Sequence, residues 1–282
     1  MSWRGQSRHR SDAGVDRRQF TPSTADGLHV VNETGILRIT IDRPDRMNAL
    51  DLTHMSALGD VLTAAATDAS VRVVVIAGAG RAFSTGADLA AAAAAGGREA
   101  PAEVVMDAAN RVIRAVVELP VPVIAQVNGA AAGVGASIAL TADLTYAADN
   151  AYLLLAFVNI GLMPDGGSTA LIAASIGRAR ATRMALLGER LPASEAEREG
   201  LIAGVLPPDE LAAHVEAVAA RLARGPGRAI ALTKRALTAA TLTALDASLD
   251  REKAGQAELL QGPDFVEGVT AMLEKRAPNF RS

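Results

Sequence analysis

Two stretches of the chain share one layout, and that layout constrains the fold more than any other feature. Each is a run of β-branched apolar residues, then a turn of glycine and other small residues, then an alanine-rich stretch of helical character. The first is VRVVVIAGAGRAFSTGADL, Val71 to Leu89, and the second is VPVIAQVNGAAAGVGASIAL, Val121 to Leu140. Continuous apolar runs of this kind mark buried strands. Strands alternating with helices predict an α/β fold with crossover connections. The turns also carry a chemical reading. Glycine lets a ligand approach the main chain closely, and a helix N-terminus presents unpaired N–H donors with a positive partial charge. Two such donors converging on one oxygen form an oxyanion hole, which stabilises negative charge developing on a carbonyl oxygen.

The remaining pattern extends this class. Gly35 to Ile41 alternates as a half-buried strand and Arg43-Pro44-Asp45 ends it. Residues 50–66 set Leu52, Met55, Leu58, Leu62 and Ala65 on one helical face, and residues 102–118 do the same with Val105, Ala109, Val112, Val116 and Leu119. Short strands are expected at Asp143 to Ala147 and Tyr152 to Phe157, while Ala90 to Gly97 reads as helix or loop. From about residue 189 the strand pattern stops. Ser194 and Glu197 have capping-box spacing, Asp209 to Arg224 carries a stripe of Leu211, Val215, Val218 and Leu222, and helices are predicted over 228–240, 244–261 and 264–276. The expected division is a basic tail at 1–24, a core over 25–205 and a helical region over 206–282 suited to a subunit interface.

Composition removes several chemistries. The 282 residues include no cysteine, which excludes disulfides, a thiolate nucleophile and thiolate metal ligands. His9, His29, His54 and His214 have no ligand-like spacing, so no metal is expected. A net charge of -3 implies no basic face, and nucleic acid is not an expected partner. No apolar run is long enough to span a bilayer, and residues 1–24 lack the apolar stretch of a secretory signal. A disordered tail and a cytoplasmic protein without membrane association are expected. Gly133-x-Gly135-x-x-Ile138 lacks the third glycine of a dinucleotide fingerprint, so no redox cofactor is expected. The surroundings of Ser84 and Ser168 do not form a nucleophile elbow, and Glu103 and Asp107 read as solvated helix charges.

Five segments give the chain a recognisable order: IDRPDRMNAL (Ile41 to Leu50), RAFSTGADL (Arg81 to Leu89), PVPVIAQVNGAAAGVGASIALTADL (Pro120 to Leu144), NIGLMPDGGSTALI (Asn159 to Ile172) and EGVTAMLEKRAPNF (Glu267 to Phe280). Together they resemble the crotonase superfamily, the enoyl-CoA hydratase/isomerase family, from about residue 28 to 280. The resemblance implies a crotonase-like β/α spiral core with a C-terminal helical trimerisation region, assembled as a homotrimer or dimer of trimers. It implies an acyl-CoA thioester as substrate, with coenzyme A part of that substrate and no further cofactor. The backbone N–H groups of Ala87 and Val134 map to the donors that hold the thioester enolate, Val134 standing where glycine is common. Arg46, Met47, Thr85, Gly86, Asp88 and Leu89 map to positions that contact the substrate's coenzyme A side. Gly133 and Phe157 map to the acyl site, and Lys275 with Arg276 to the phosphates; as plain residues, Lys275 and Arg276 are surface charges.

Hydratases of this family hold water between two glutamates. Those positions fall on Ser137 and Phe157, neither of which is an acid or base at neutral pH, so the two-carboxylate route is not expected. Asp165, in Pro164-Asp165-Gly166-Gly167, matches the aspartate of certain family isomerases, and AFVNIGLMPDGGS most resembles the phenylacetate-pathway type. A double-bond shift needs one base that removes a proton and returns it elsewhere. Read without the resemblance, Asp165 is an N-cap of the following helix, Asp88 a helix cap and Ser137 a small packing residue. Isomerisation is the expected activity. A hydratase (lyase) of fatty-acid or aromatic-acid degradation and a non-catalytic acyl-CoA-binding homologue are the alternatives.

Overall fold

The computed structural model describes residues 25–89 and 100–281; the basic tail and Ala90 to Gly97 lie outside the described residues. The described chain opens with a hairpin of β1 (Leu28–Glu33) and β2 (Ile36–Ile41), of which only the second strand is legible from alternation. Thr34 and Gly35 join them at φ of 52° and 84°, the two-residue turn whose twist matches that of paired strands. Helix α1 (Leu52–Ala65) follows, with Asp51 accepting the His54 N–H at 3.0 Å as its cap. Met55, Leu58, Leu62 and Ala65 of its stripe are buried.

The chain then makes three passes of one kind. The first runs through β3 (Val73–Gly78) and β4 (Ala82–Ser84) to α2 (Ala102–Glu118). The second runs through β5 (Val123–Val127) and β6 (Ala130–Ala132) to α3 (Val134–Thr141). The third runs through β7 (Leu144–Ala148) and β8 (Tyr152–Leu154), a 3-10 turn at Ala156–Ile160, and α4 (Ser168–Leu187). Two short strands come later: β9 (Leu191–Pro192), ahead of α5 (Ala193–Arg198), and β10 (Gly204–Leu206). The large sheet has the order β1-β2-β3-β5-β7-β10 and the small one β4-β6-β8-β9. Each pass contributes one parallel strand to each sheet, so the chain climbs as a spiral. Val73, Val74 and Ile76 are fully enclosed, as continuous apolar runs require.

Helix α6 (Pro208–Ala223) covers β3, β5 and β7 with Leu211, Val215 and Ala219 buried beneath it. Three helices complete the chain: α7 (Gly227–Thr241), α8 (Leu245–Leu259) and α9 (Pro263–Glu274). Lys234 anchors α7; its buried ammonium donates to the Val116 carbonyl at 2.8 Å and pairs with Asp143 at 2.8 Å. Helix α8 packs against both α2 and α4.

Several expectations are corrected. Strands do not end near residue 189, since β9 and β10 follow; at two and three residues they are too short to show alternation. Helix α6 packs with the sheet. The strand expected at Tyr152 to Phe157 ends at Leu154, and Phe157 sits in the 3-10 turn. Ser194 does not cap a helix: α5 starts one residue earlier without a side-chain cap, and Glu197 instead accepts the Val205 N–H at 3.2 Å. In both opening motifs a short strand of the small sheet stands between the long strand and the glycine turn.

Candidate active site

The small sheet explains why the two glycine turns meet. β4 and β6 are parallel neighbours, with Ala82 opposite Ala130 and Ser84 opposite Ala131, so both chains leave the sheet at the same end. Beyond β4 the chain pairs with the 43–50 loop: Leu50 N–H donates to the Gly86 carbonyl at 2.8 Å and Asp88 N–H to the Leu50 carbonyl at 3.0 Å. These two bonds flank Ala87, and backbone groups alternate in direction along a ladder, so the Ala87 N–H faces away from Leu50. Thr85 is held by the Met47 carbonyl, 3.2 Å from both its N and Oγ1. Beyond β6, Gly133 donates to the Leu154 carbonyl at 2.9 Å and Val134 opens α3. The first N–H of a helix has no acceptor inside it. Among the described residues, neither the Ala87 nor the Val134 N–H is paired with a protein acceptor.

The two turns touch. Gly86 has φ +88°, and a Cβ there would stand 2.8 Å from the Ala132 carbonyl oxygen and 3.3 Å from the Val134 nitrogen. Gly133, at φ +53°, lies with its Cβ position 3.8 Å from the Gly86 Cα and 3.9 Å from Phe157 Cζ. Val134 turns its side chain toward the 165–167 turn, with Cγ2 3.5 Å from the Cβ position of Gly166. Ala87, Val134, Phe157 and the Asp165 segment therefore surround one place.

Asp165 is buried, and its two carboxyl oxygens differ. Oδ2 accepts from Gln256 Nε2 at 2.7 Å, whereas Oδ1 is enclosed and has no partner among the described residues. Burial pushes this carboxyl up to about 7; the Gln256 hydrogen bond opposes the rise and the nearby Glu252 charge adds to it. Ser137, fully enclosed, donates its hydroxyl to the Asp165 carbonyl at 2.8 Å and so holds the turn. The reading of Asp165 as an N-cap is corrected. Helix α4 begins at Ser168 behind Gly167 with no cap from its own segment. Its first N–H groups go to Glu252 of α8, which accepts from Gly167 at 2.6 Å and Thr169 at 3.1 Å.

Asp88 is a buried anchor. It pairs with Arg46 at 2.7 Å and with Arg43 at 3.3 Å, fixing the 43–50 loop against the first turn and raising the Arg46 guanidinium further. Met47, at φ 52°, bends the loop so that its carbonyl meets Thr85. Leu89 is half-buried at the edge of the described segment. Asp107 pairs with Lys253 and Glu103 is exposed. Lys275 stands apart, exposed beyond the end of α9, and Arg276 is taken up by Glu267 and Glu274.

Glu252 and Gln256 are the neighbours of Asp165 that sequence reading missed. A signal was present. Leu245, Leu249, Glu252 and Gln256 follow the spacing of one buried helical stripe, and all four are buried. Polar residues on such a stripe mark tertiary partners.

The sequence matches the enoyl-CoA hydratase/isomerase family over residues 31–282. The chain belongs to that family. A probable enoyl-CoA hydratase of Rhodobacter capsulatus is 45% identical over 246 residues, 87% of this chain and 94% of that protein. The 1,2-epoxyphenylacetyl-CoA isomerase of Escherichia coli is 37% identical over 251 residues, 88% of this chain and 95% of that protein. The crystal structure of an enoyl-CoA hydratase from Mycobacterium avium subsp. paratuberculosis superposes with a TM-score of 0.85 at 49% identity, covering 92% of this chain and all of that one. The crotonase fold and an enzyme of enoyl-CoA chemistry follow from this membership. Among the described residues, no helix is long and apolar enough to cross a membrane.

Proposed function

We propose that the chain is an enoyl-CoA isomerase. The observation that carries this reading is the charge inventory around the two unpaired N–H groups. Among the described residues the carboxyl there is Asp165, while the family resemblance puts Ser137 and Phe157 at the positions of the hydratase glutamates. The substrate is a 3-enoyl-CoA whose thioester oxygen accepts from the Ala87 and Val134 N–H groups. Ionised Asp165 removes a proton from the alpha carbon, and the electrons move onto the thioester oxygen as an enolate. The two N–H groups stabilise that charge, each contributing about 3 kcal/mol in comparable sites. The same carboxyl then delivers a proton to the gamma carbon, and the double bond becomes conjugated with the thioester.

The environment of Asp165 suits this work. A carboxyl near 7 is present in both protonation states at neutral pH, as a shuttle requires. The ring of Phe157 excludes the water that hydration would consume. Arg46, Met47, Thr85, Gly86, Asp88 and Leu89 form the side on which coenzyme A is held, and Lys275 reaches its phosphates only if the site is completed by assembly. A homotrimer or dimer of trimers belongs to the same proposal, supported by exposed Leu186, Leu187, Leu237, Met272 and Leu273; light scattering in solution reads it.

The test is direct. Purified protein given a 3-enoyl-CoA should develop the absorbance of a conjugated thioester, and crotonyl-CoA should not be hydrated at a comparable rate. Asp165→Asn should lower isomerisation by about a thousandfold. Rapid hydration of crotonyl-CoA, as the names of two relatives favour, would replace the isomerase reading. Binding without turnover of either thioester would favour a non-catalytic homologue.

A further inference from the structure

The proposed shuttle leaves one question of geometry: which oxygen of Asp165 carries the proton, and what fixes that choice. The answer lies on α8, outside the turns that form the rest of the site. We propose that Gln256 and Glu252 are positioning residues for Asp165, Gln256 reserving Oδ1 as the proton-carrying atom and Glu252 setting the charge beside it, neither touching substrate. This rests on the role assigned to Asp165 above.

Gln256 Nε2 donates to Oδ2 at 2.7 Å inside the protein, and Oδ1 is enclosed without a partner among the described residues. An amide N–H can bond Oδ2 both when the carboxyl is ionised, where the bond is stronger, and when its proton sits on Oδ1. It opposes a proton on Oδ2, where N–H and O–H would confront each other. The hydrogen bond therefore survives a complete cycle of proton removal and return, and one atom is left for both steps. Glu252 lies one helical turn earlier. Its carboxylate is consumed by the N–H groups of Gly167 and Thr169 and by the Thr169 hydroxyl, so the chain just after Asp165 is tied to the same helix that holds the carboxyl.

Among the described residues, the titratable group facing Asp165 is Glu252, whose own carboxyl is pushed up by burial while the Thr169 and Gly167 hydrogen bonds and Arg251 oppose the rise. Ser137 of α3 presents a hydroxyl already given to the Asp165 carbonyl, and the Phe157 ring of the 3-10 turn lies against Gly133. On α8 itself Arg251 attracts Glu252, and Lys253 is paired with Asp107 of α2. Glu252 is thus the charge that Asp165 meets.

Two substitutions in the full-length protein separate positioning from mere packing. Gln256→Met keeps length and loses the donor; Glu252→Gln keeps length and loses the charge. Carbon-13 NMR of labelled aspartate reads the Asp165 titration without substrate, and the acidic limb of kcat/KM for a 3-enoyl-CoA reads it in turnover. Gln256→Met should raise the NMR midpoint by about 1 pH unit, move the acidic limb with it, and lower kcat about tenfold above the limb with KM unchanged. Glu252→Gln should move both midpoints down. Gln256→Asn, polar but too short to reach, should repeat the upward shift and serves if the methionine variant does not fold. Midpoints that stay fixed, or that move the same way in both variants, overturn the proposal. Opposed shifts in a protein that does not isomerise a 3-enoyl-CoA would support the positioning pair and count against the isomerase reading alone.

Discussion

Replacing Asp165 by asparagine should make the protein more stable, by an amount that depends on pH. In the folded chain burial lifts the carboxyl from 3.8 to about 7; in the unfolded chain it titrates near 3.9. As pH rises from about 4 to about 7, the unfolded chain gives up this proton while the folded chain keeps it. The folded state binds more protons there, so stability falls with rising pH. Below the unfolded value both states are protonated and the group costs nothing; above about 7 both are ionised and the whole cost is present. A rise of about 3 units at about 1.4 kcal/mol per unit is about 4 kcal/mol.

Asparagine has the shape of the neutral carboxyl, cannot ionise, and can still accept from Gln256 Nε2. The variant should therefore match the native protein near pH 4 and exceed it by about 4 kcal/mol near pH 8. Urea denaturation at several pH values and one protein concentration reads the difference. A gap between the two proteins that is independent of pH, or one that widens toward acid, refutes the reasoning. The same substitution should lower isomerisation about a thousandfold, so stability and activity should move in opposite directions.

Other outcomes follow from the same contacts. Gly86→Ala places a methyl 2.8 Å from the Ala132 oxygen at φ +88°; steady-state kinetics should show kcat lowered about a hundredfold as the Val134 donor is displaced, and native kcat would refute the convergence of the turns. Lys234→Met leaves Asp143 without its buried partner and should cost about 3 kcal/mol in denaturant titration with KM unaffected. Arg46→Ala leaves Arg43 on Asp88, so thermal stability should hold while KM for the thioester rises several-fold at constant kcat.

What was legible in the sequence is what local chemistry decides. The β-branched runs announced β3 and β5, and apolar spacing alone marked α2 over Ala102–Glu118. The glycine turns were visible because backbone approach of Gly86 to Val134 needs residues without side chains. Their convergence was not, since Ala130–Ala132 is three small residues without alternation, and only its pairing beside β4 makes it a strand. The same limit hid β9 and β10. Glu252 and Gln256 were missed for a different reason: their partners lie 85 and 91 residues away, and nothing within α8 names them. Capping spacing misled at Ser194 because Glu197 was drawn off by the β10 backbone.

The contact between α3 and the Asp165 turn makes the two ways of placing a carboxyl here mutually exclusive. Ser137 is fully enclosed, and its Cβ lies 2.7 Å from the Cβ position of Gly166. Its hydroxyl fits because it is small and because it satisfies the Asp165 carbonyl at 2.8 Å. A glutamate at 137, the residue type that hydratases of the family carry there, would need space that the 165–167 turn fills. Overpacking of this order costs about 1–3 kcal/mol and shifts the backbone that yields most easily, which is the glycine-rich turn carrying Asp165. Ser137→Glu should therefore not convert the protein into a hydratase: with Phe157 in place the second carboxyl is still missing, and the first would displace the shuttle. The expected result is loss of 3-enoyl-CoA isomerisation with no gain of crotonyl-CoA hydration. If the variant keeps isomerisation and also hydrates crotonyl-CoA, the two carboxyl positions coexist and the exclusion argued from Ser137 and Gly166 is wrong.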